Sequence, residues 1–241
     1  MSASDFILET RGLERRFGGV RAVAGVDFKL ERGELRCLIG PNGAGKSTFF
    51  KMLTGQIRPT AGQILFEGRD IAGAEPHEIG RLGIGIKNQV PDVFDGLSVR
   101  ENVWLAARFG HSAPRAAEIV ATVLDRLHLS VIADRTVAEL AHGQRQWIEI
   151  AMVVVREPTI ILLDEPSAGM SAEETNRTAE LIREVNRTTT MVVVEHDMLF
   201  IRQIAKKVTV FHQGLIVREA GVEEIMRDPL VRDIYLGKQA A

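Results

Sequence analysis

A chain of 241 residues, 45% hydrophobic and 26% charged, is long enough to bury one large core, or one domain with an inserted lobe. Its formal net charge of -2 argues against the Lys/Arg-rich face that nucleic-acid phosphates require, and a lone cysteine, Cys37, excludes an internal disulfide and any cysteine-based metal site. The longest apolar runs fall far short of the roughly 20 residues that span a bilayer, and no N-terminal stretch resembles a signal peptide, so a reducing cytoplasm is the expected compartment.

In chain order, residues Phe6 to Phe17 and Val23 to Leu30 alternate apolar and polar side chains and are broken at Gly18-Gly19 and Arg32-Gly33, the pattern of antiparallel strands. The arginines near them (Arg11, Arg15, Arg16, Arg21) read as a solvated face, and secondly as a rim near a ligand. The apolar run Leu35 to Ile39 predicts a buried strand, with Cys37 as a small filler. After a first helix, Gly62 to Phe66 and Ile84 to Ile86 are short strands separated by a turn at Gly68-Arg69-Asp70 and a short helix from Pro76 to Arg81. From about Asn88 to Arg156 the strand signal vanishes. Residues Ser98 to Phe109, Pro114 to Leu127 and Gly143 to Val155 repeat apolar residues at intervals of three and four, which predicts an inserted helical lobe. Strands return at Thr159 to Leu163, Thr190 to Val194, Val208 to His212 and Leu215 to Val217, the last two turning at Gln213-Gly214. Helices Ser171 to Asn186 and Met198 to Ala205 lie between. Alternating strands and helices predict an α/β protein with a parallel sheet covered on both faces.

Three stretches carry chemistry. Residues Gly40, Pro41, Asn42, Gly43, Ala44, Gly45, Lys46, Ser47 and Thr48 spell G-x-x-x-x-G-K-S between a strand and a helix. The glycines let backbone N–H groups converge on one cavity, the following helix adds the positive end of its dipole, Lys46 reaches the outer phosphates, and Ser47 ligates the Mg²⁺ that bridges them. The expected ligand is a nucleoside polyphosphate. Ile160 to Glu165 is an apolar strand ending in two acids, where ligands of parallel sheets sit; Asp164 is placed to hold Mg²⁺ and Glu165 to polarise a water for attack on the γ phosphate. Thr190 to His196 is a second such strand, and its imidazole can donate to the γ phosphate or the water. Gln89 follows the strand at 84 to 86 and opens the helical lobe, where an amide contacts Mg²⁺ or water. Finally, Leu140-Ala141-His142-Gly143-Gln144 begins a helix and offers a second set of free N–H groups, awkward to use on the same phosphates within one chain.

In this order and spacing, Gly40 to Thr48, Gln89, Leu140 to Gln144, Asp164-Glu165 and His196 resemble the ATP-binding subunit of an ABC transporter. The resemblance spans roughly residues 5 to 237. It implies a P-loop NTPase cassette with a mixed or parallel sheet core, an N-terminal antiparallel β layer and a helical lobe; the expected division is 5–88 with 157–237 as nucleotide-binding core and 89–156 as lobe. It implies ATP and Mg²⁺ as cofactors, with Ser47, Gln89 and Asp164 at the metal, Glu165, His196, Gln89 and Lys46 as catalytic residues, and Phe17 stacked on adenine with Ala22 nearby. It also implies head-to-tail pairing with a second cassette, each ATP lying between one phosphate loop and the other chain's 141–144 segment. Two transmembrane permease subunits and a solute-binding protein complete the implied assembly, without nucleic acid, on the cytoplasmic face of the membrane. Two departures stand out. Ala141 occupies a position where the family usually has serine, which removes a hydroxyl donor to the γ phosphate worth about 1.5–3 kcal/mol; Ser171 stands where many members have aspartate.

The stretches Val93 to Asn102, Gly169-Met170, Val194 to Met198, Val208 to Gly214 and Tyr235-Leu236-Gly237 resemble the uptake branch for urea and branched-chain amino acids, the urea type more closely. A lipopolysaccharide-export ATPase is the alternative within the family. A soluble ABC ATPase acting on ribosomes or DNA is the alternative outside it, but the chain lacks the second cassette, coiled-coil insertion and basic surface of such proteins. Phe94 and Trp104 read first as core, secondly as a groove for a membrane subunit's helix.

Overall fold

The computed structural model describes residues 6–89 and 92–236; the expected outer limits at 5 and 237, Gly237 of the C-terminal resemblance included, lie outside them. The N-terminal alternation folds as β1 (Phe6–Phe17) and β2 (Val20–Glu31), antiparallel and closed by the Phe17–Val20 pair across the two glycines. Then come β3 (Leu35–Ile39), α1 (Lys46–Leu53), β4 (Ala61–Phe66), β5 (Arg69–Asp70), α2 (Pro76–Arg81) and β6 (Ile84–Lys87). Residues 69 and 70, expected in a turn, instead pair with β4 as a two-residue strand. The helices α3 (Val99–Arg108), α4 (Ala113–Arg126) and α5 (His142–Val154) follow, with short 3₁₀ turns between the last two. The chain continues through β7 (Ile160–Asp164), α6 (Ala172–Asn186), β8 (Thr190–Val194), α7 (Met198–Ile204), β9 (Lys207–His212), β10 (Leu215–Gly221), α8 (Val222–Arg227) and α9 (Pro229–Leu236).

Two sheets result. One runs β2-β1-β4-β5; the other runs β10-β9-β3-β8-β7-β6 and is parallel except for its β10 edge. Because side chains alternate along a strand, the parallel sheet sorts its apolar residues into two cores. Leu35, Cys37 and Ile39 of β3, with Ile161, Leu163, Met191 and Val193, pack with α3 to α7. Leu38, Ile160, Leu162, Val192 and Val194 pack with α1 and the antiparallel sheet. Burial on both faces is why these strands read as unbroken apolar runs.

The expected helices form, with their ends displaced by one residue at most. Ser98 and Glu101 cap α3 reciprocally: the Glu101 N–H donates to the Ser98 hydroxyl at 3.2 Å and the Ser98 N–H to the Glu101 carboxylate at 2.7 Å. Two helices, α8 and α9, escaped the sequence reading, although Asp228 accepts hydrogen bonds from the Leu230 and Val231 N–H groups at 2.8 and 3.3 Å and so marks the start of the second. The reading of Phe94 as core is corrected. Buried Asn102 accepts from the Phe94 N–H at 2.7 Å and donates to its carbonyl at 3.0 Å, pinning the backbone while the ring stays 57% exposed. Trp104 does pack against the core. Among the described residues no helix is long and apolar enough to cross a membrane.

Candidate nucleotide site

The phosphate loop leaves β3 between its parallel neighbours β8 and β9, so it opens at the centre of the sheet's carboxyl edge. Two glycines are required by close approach. A Cβ on Gly40 would lie 2.2 Å from the Phe211 carbonyl, and one on Gly45, at φ +104°, would lie 2.4 Å from the Ala22 carbonyl. Ala22 is thus the wall against which the loop closes. The loop is also tied inward: the Ala44 N–H donates to Pro41 at 3.1 Å, the Gly214 N–H to Ala44 at 2.9 Å, and the Ala24 N–H to Gly214 at 2.9 Å. The turn before β10 therefore holds the loop and β2 together. Helix α1 starts after Gly45 without a side-chain cap, leaving N–H groups for an anion.

Lys46 is buried and donates to the carbonyls of Gly40 and Pro41 at 2.5 and 3.0 Å. Burial lowers its pKa, opposed by the charges of Glu165 and Asp164. An ammonium held by loop carbonyls, beside two acids, fits the outer phosphates of a nucleotide. Asn42, Gly43 and Ser47 are exposed, and Thr48 is half-buried.

Three strand ends converge opposite. Gln89 stands two residues beyond β6, Glu165 one beyond β7 and His196 two beyond β8. The Gln89 amide donates to Glu165 Oε2 at 2.7 Å, and His196 Nδ1 lies 3.7 Å from Glu165 Oε1. Since a carboxylate only accepts, the amide nitrogen must face Glu165 and its oxygen is left over for a cation or water. Asp164 has a raised pKa, mainly through burial and secondly through the Glu165 charge; a cation there would relieve both.

Phe17 is 44% exposed at the end of β1, with the Arg15 guanidinium 4.5 Å over one ring face. Arg15 also donates to the Arg58 carbonyl, whereas Arg11, Arg16 and Arg21 pair with Glu9 and Glu14 at the surface.

The 141–144 segment is a separate place. Among the described residues no hydrogen bond joins it to 40–48. Ala141 is extended and begins α5, and its N–H donates to Gln144 Oε1 at 3.1 Å. His142 Nε2 lies 3.3 Å from the Ala168 carbonyl and 3.3 Å from the Gln146 amide. Gly143 is not free, contrary to the sequence reading: a Cβ there would lie 2.4 Å from the Glu174 carboxylate. That carboxylate is held below the usual range chiefly by the Ser171 N–H and hydroxyl, with Gly143 N–H contributing. An acid of the same chain thus answers the start of α5.

Sequence reasoning missed the strip beneath. The Gln146 amide donates to the Gln89 carbonyl at 3.4 Å, and buried Lys87 lies 3.4 Å from buried Glu149, so α5 is registered directly against the segment that carries Gln89. The signal available was polar residues at spacings of three and four on an otherwise apolar helix. Cys37 is fully buried and its thiol pKa is pushed up by burial, as a filler's would be.

Comparison with known proteins gives the same answer from another direction. A family model described as ABC transporter matches residues 23–168. The high-affinity branched-chain amino acid transport ATP-binding protein BraF of Pseudomonas aeruginosa is 35% identical, covering 96% of this chain and 98% of its own. The lipopolysaccharide export system ATP-binding protein LptB of Acidithiobacillus ferridurans is 33% identical over 97% and 98%. The ADP conformation of MJ1267, an ATP-binding cassette of an ABC transporter, superposes with a TM-score of 0.86 at 28% identity, covering 97% of this chain and 99% of that one. Phosphate loop, strand-end acids and full-length likeness together make this chain a member of the ABC transporter family, an ATP-binding cassette that hydrolyses ATP.

Proposed function

We propose that this cassette uses Glu165 to polarise the attacking water while Lys46 and His196 stabilise charge developing on the γ phosphate, with Ser47, Gln89 and Asp164 holding Mg²⁺. The observation that carries the reading is the contact of Gln89 and His196 with one carboxylate, Glu165, at the strand ends facing Lys46. Mg²⁺, when bound, would screen the phosphate charge. Glu165→Gln should bind ATP normally and stop turnover; wild-type phosphate release by the assembled transporter would remove Glu165 from this role. In this reading Phe17, beside Ala22, stacks on adenine, and residues Ala141, His142, Gly143 and Gln144 face the nucleotide of a second cassette.

The work of hydrolysis would drive import of a small nitrogenous solute. The named amino-acid transport relatives favour branched-chain amino acids, and the resemblance of Val93 to Asn102 and Val194 to Met198 favours urea. Two permease subunits would dock near exposed Phe94, Leu105 and Phe109, an extracytoplasmic solute-binding protein would deliver the solute, and the chain would sit on the cytoplasmic membrane face. Residues 89–156 would act as a lobe between the membrane subunits and a core of 5–88 and 157–237. The full-length likeness to LptB supports lipopolysaccharide export as the second reading. Purifying the complex from detergent-solubilised membranes separates these. A co-purified binding protein that titrates with leucine or with urea identifies the solute, export partners select the second reading, and ribosomal proteins overturn transport altogether.

A further inference from the structure

One buried acid is used by none of the roles above. Glu195, between β8 and His196, is fully buried. Its backbone N–H donates to the Leu38 carbonyl of β3 at 3.2 Å, fixing it behind the strand that leads into the phosphate loop. Its two carboxylate oxygens face different loops. Oε1 accepts from the Ser167 hydroxyl at 2.6 Å and the Ser167 N–H at 3.0 Å; Oε2 accepts from the His196 N–H at 3.0 Å. Ser167 is itself buried, two residues after Glu165.

The loop held this way needs holding. Glu165 sits at φ +46°, a left-handed conformation that a non-glycine residue adopts only when its surroundings impose it. On one side the Glu165 N–H donates to the Val194 carbonyl at 2.9 Å; on the other, the Ala168 N–H donates to the Glu165 carbonyl at 3.2 Å. Ser167 lies inside that turn, and Glu195 is what it grips. We propose that Glu195 is a positioning residue for hydrolysis: a single buried carboxylate that locks the loop bearing Glu165 to the loop bearing His196. Hydrogen bonds to a buried charge are the stronger kind and the geometry is shared between two loops, so removing the acid frees both at once.

This inference rests on the catalytic reading of Glu165 and is tested apart from it. In Glu195→Gln, one end of the side chain becomes an NH₂ that cannot accept, so either the Ser167 N–H or the His196 N–H faces a donor and the grip on one loop is weakened. The measurements, on the full-length chain assembled with its membrane subunits, are phosphate release for kcat and equilibrium titration with a fluorescent ATP analogue for affinity. The expected result is a kcat lower by roughly tenfold or more, the order of one lost charge-assisted hydrogen bond, with analogue affinity unchanged. Ser167→Ala, which keeps the acid, should show the same split and serves alone if Glu195→Gln does not fold. The double variant should be no slower than the worse single, because releasing either loop already undoes the lock between them. A kcat within twofold of wild type overturns the proposal. So does a parallel fall of kcat, affinity and melting temperature, or a double variant whose losses multiply. Glu165→Gln run alongside keeps the two readings distinguishable: full activity there sinks the catalytic assignment, whereas its loss with normal Glu195→Gln turnover sinks only this one.

Discussion

The phosphate loop and the start of α5 are both glycine-containing segments that open a helix, yet they meet the rest of the chain in opposite ways. The loop is walled in by its own chain: Phe211 and Ala22 carbonyls fill the space beside Gly40 and Gly45, and Lys46 rests on loop carbonyls. The start of α5 has exposed Ala141 and His142 and a single acid, Glu174, against Gly143. A site that is finished inside one chain tolerates almost no change of shape. A surface offered to another molecule tolerates changes that the isolated chain does not feel, and this difference orders the predictions.

The largest effect belongs to the walled side. Gly45→Ala places a methyl on the Ala22 carbonyl at a positive φ, and strain of about 1–3 kcal/mol from the backbone alone corresponds to roughly a tenfold to hundredfold loss. Equilibrium titration of the isolated chain with ATP should show at least that deficit; unchanged affinity would mean the loop relaxes and is not walled in. On the open side, Ala141→Ser should leave ATP affinity of the isolated chain alone but raise turnover of the assembled transporter, by about tenfold to hundredfold at the upper bound set by one hydrogen bond to a charged group. Backbone donors and a bridging water recover part of that, so the observed gain should lie below the bound. No gain, with the fold intact by circular dichroism, would put position 141 outside the phosphate shell. Phe94→Ala tests the same openness at a second place: transport should fall more than basal ATPase activity, and the melting temperature should hardly move because the ring is exposed. Equal losses with a lowered melting temperature would return Phe94 to the core.

The smallest effect concerns acid on the walled side. Burial raises the Asp164 pKa in the folded chain above its ordinary value. The folded state therefore holds that proton more tightly than the unfolded one. The resulting stability is present below the ordinary carboxylate range and is lost as pH rises through the raised value. Asp164→Asn should accordingly raise the nucleotide-free melting temperature at neutral pH, and the gain should disappear in acid. A gain that persists below the carboxylate range would point to packing instead.

What was legible in the sequence follows the same division. The phosphate loop, Asp164 and Glu165 are each specified within a few consecutive residues, and the apolar strands announce burial on both faces, so spacing alone located them. Gln89 and His196 could be named, but their meeting at Glu165 depends on β6, β7 and β8 being adjacent, which no local pattern states. Glu195 and Gln146 were passed over for the same reason, as was the reach of Glu174 to Gly143: these partners lie in other segments of the chain. Phe94 was read as core because apolar size is visible and the grip of Asn102 on its backbone is not. The helices α8 and α9 are a different kind of miss, since Asp228-Pro229 is a local start signal that was there to be read.

The Gly214 turn carries a consequence for how the chain is made. Its N–H reaches back to Ala44 and its carbonyl to Ala24, so the floor of the phosphate loop is finished by a segment far downstream of the loop itself. Until that segment is in place the Ala44 carbonyl and the Ala24 N–H lack these partners. The loop is therefore a long-range product, with its floor complete only once the hairpin of β9 and β10 has been made.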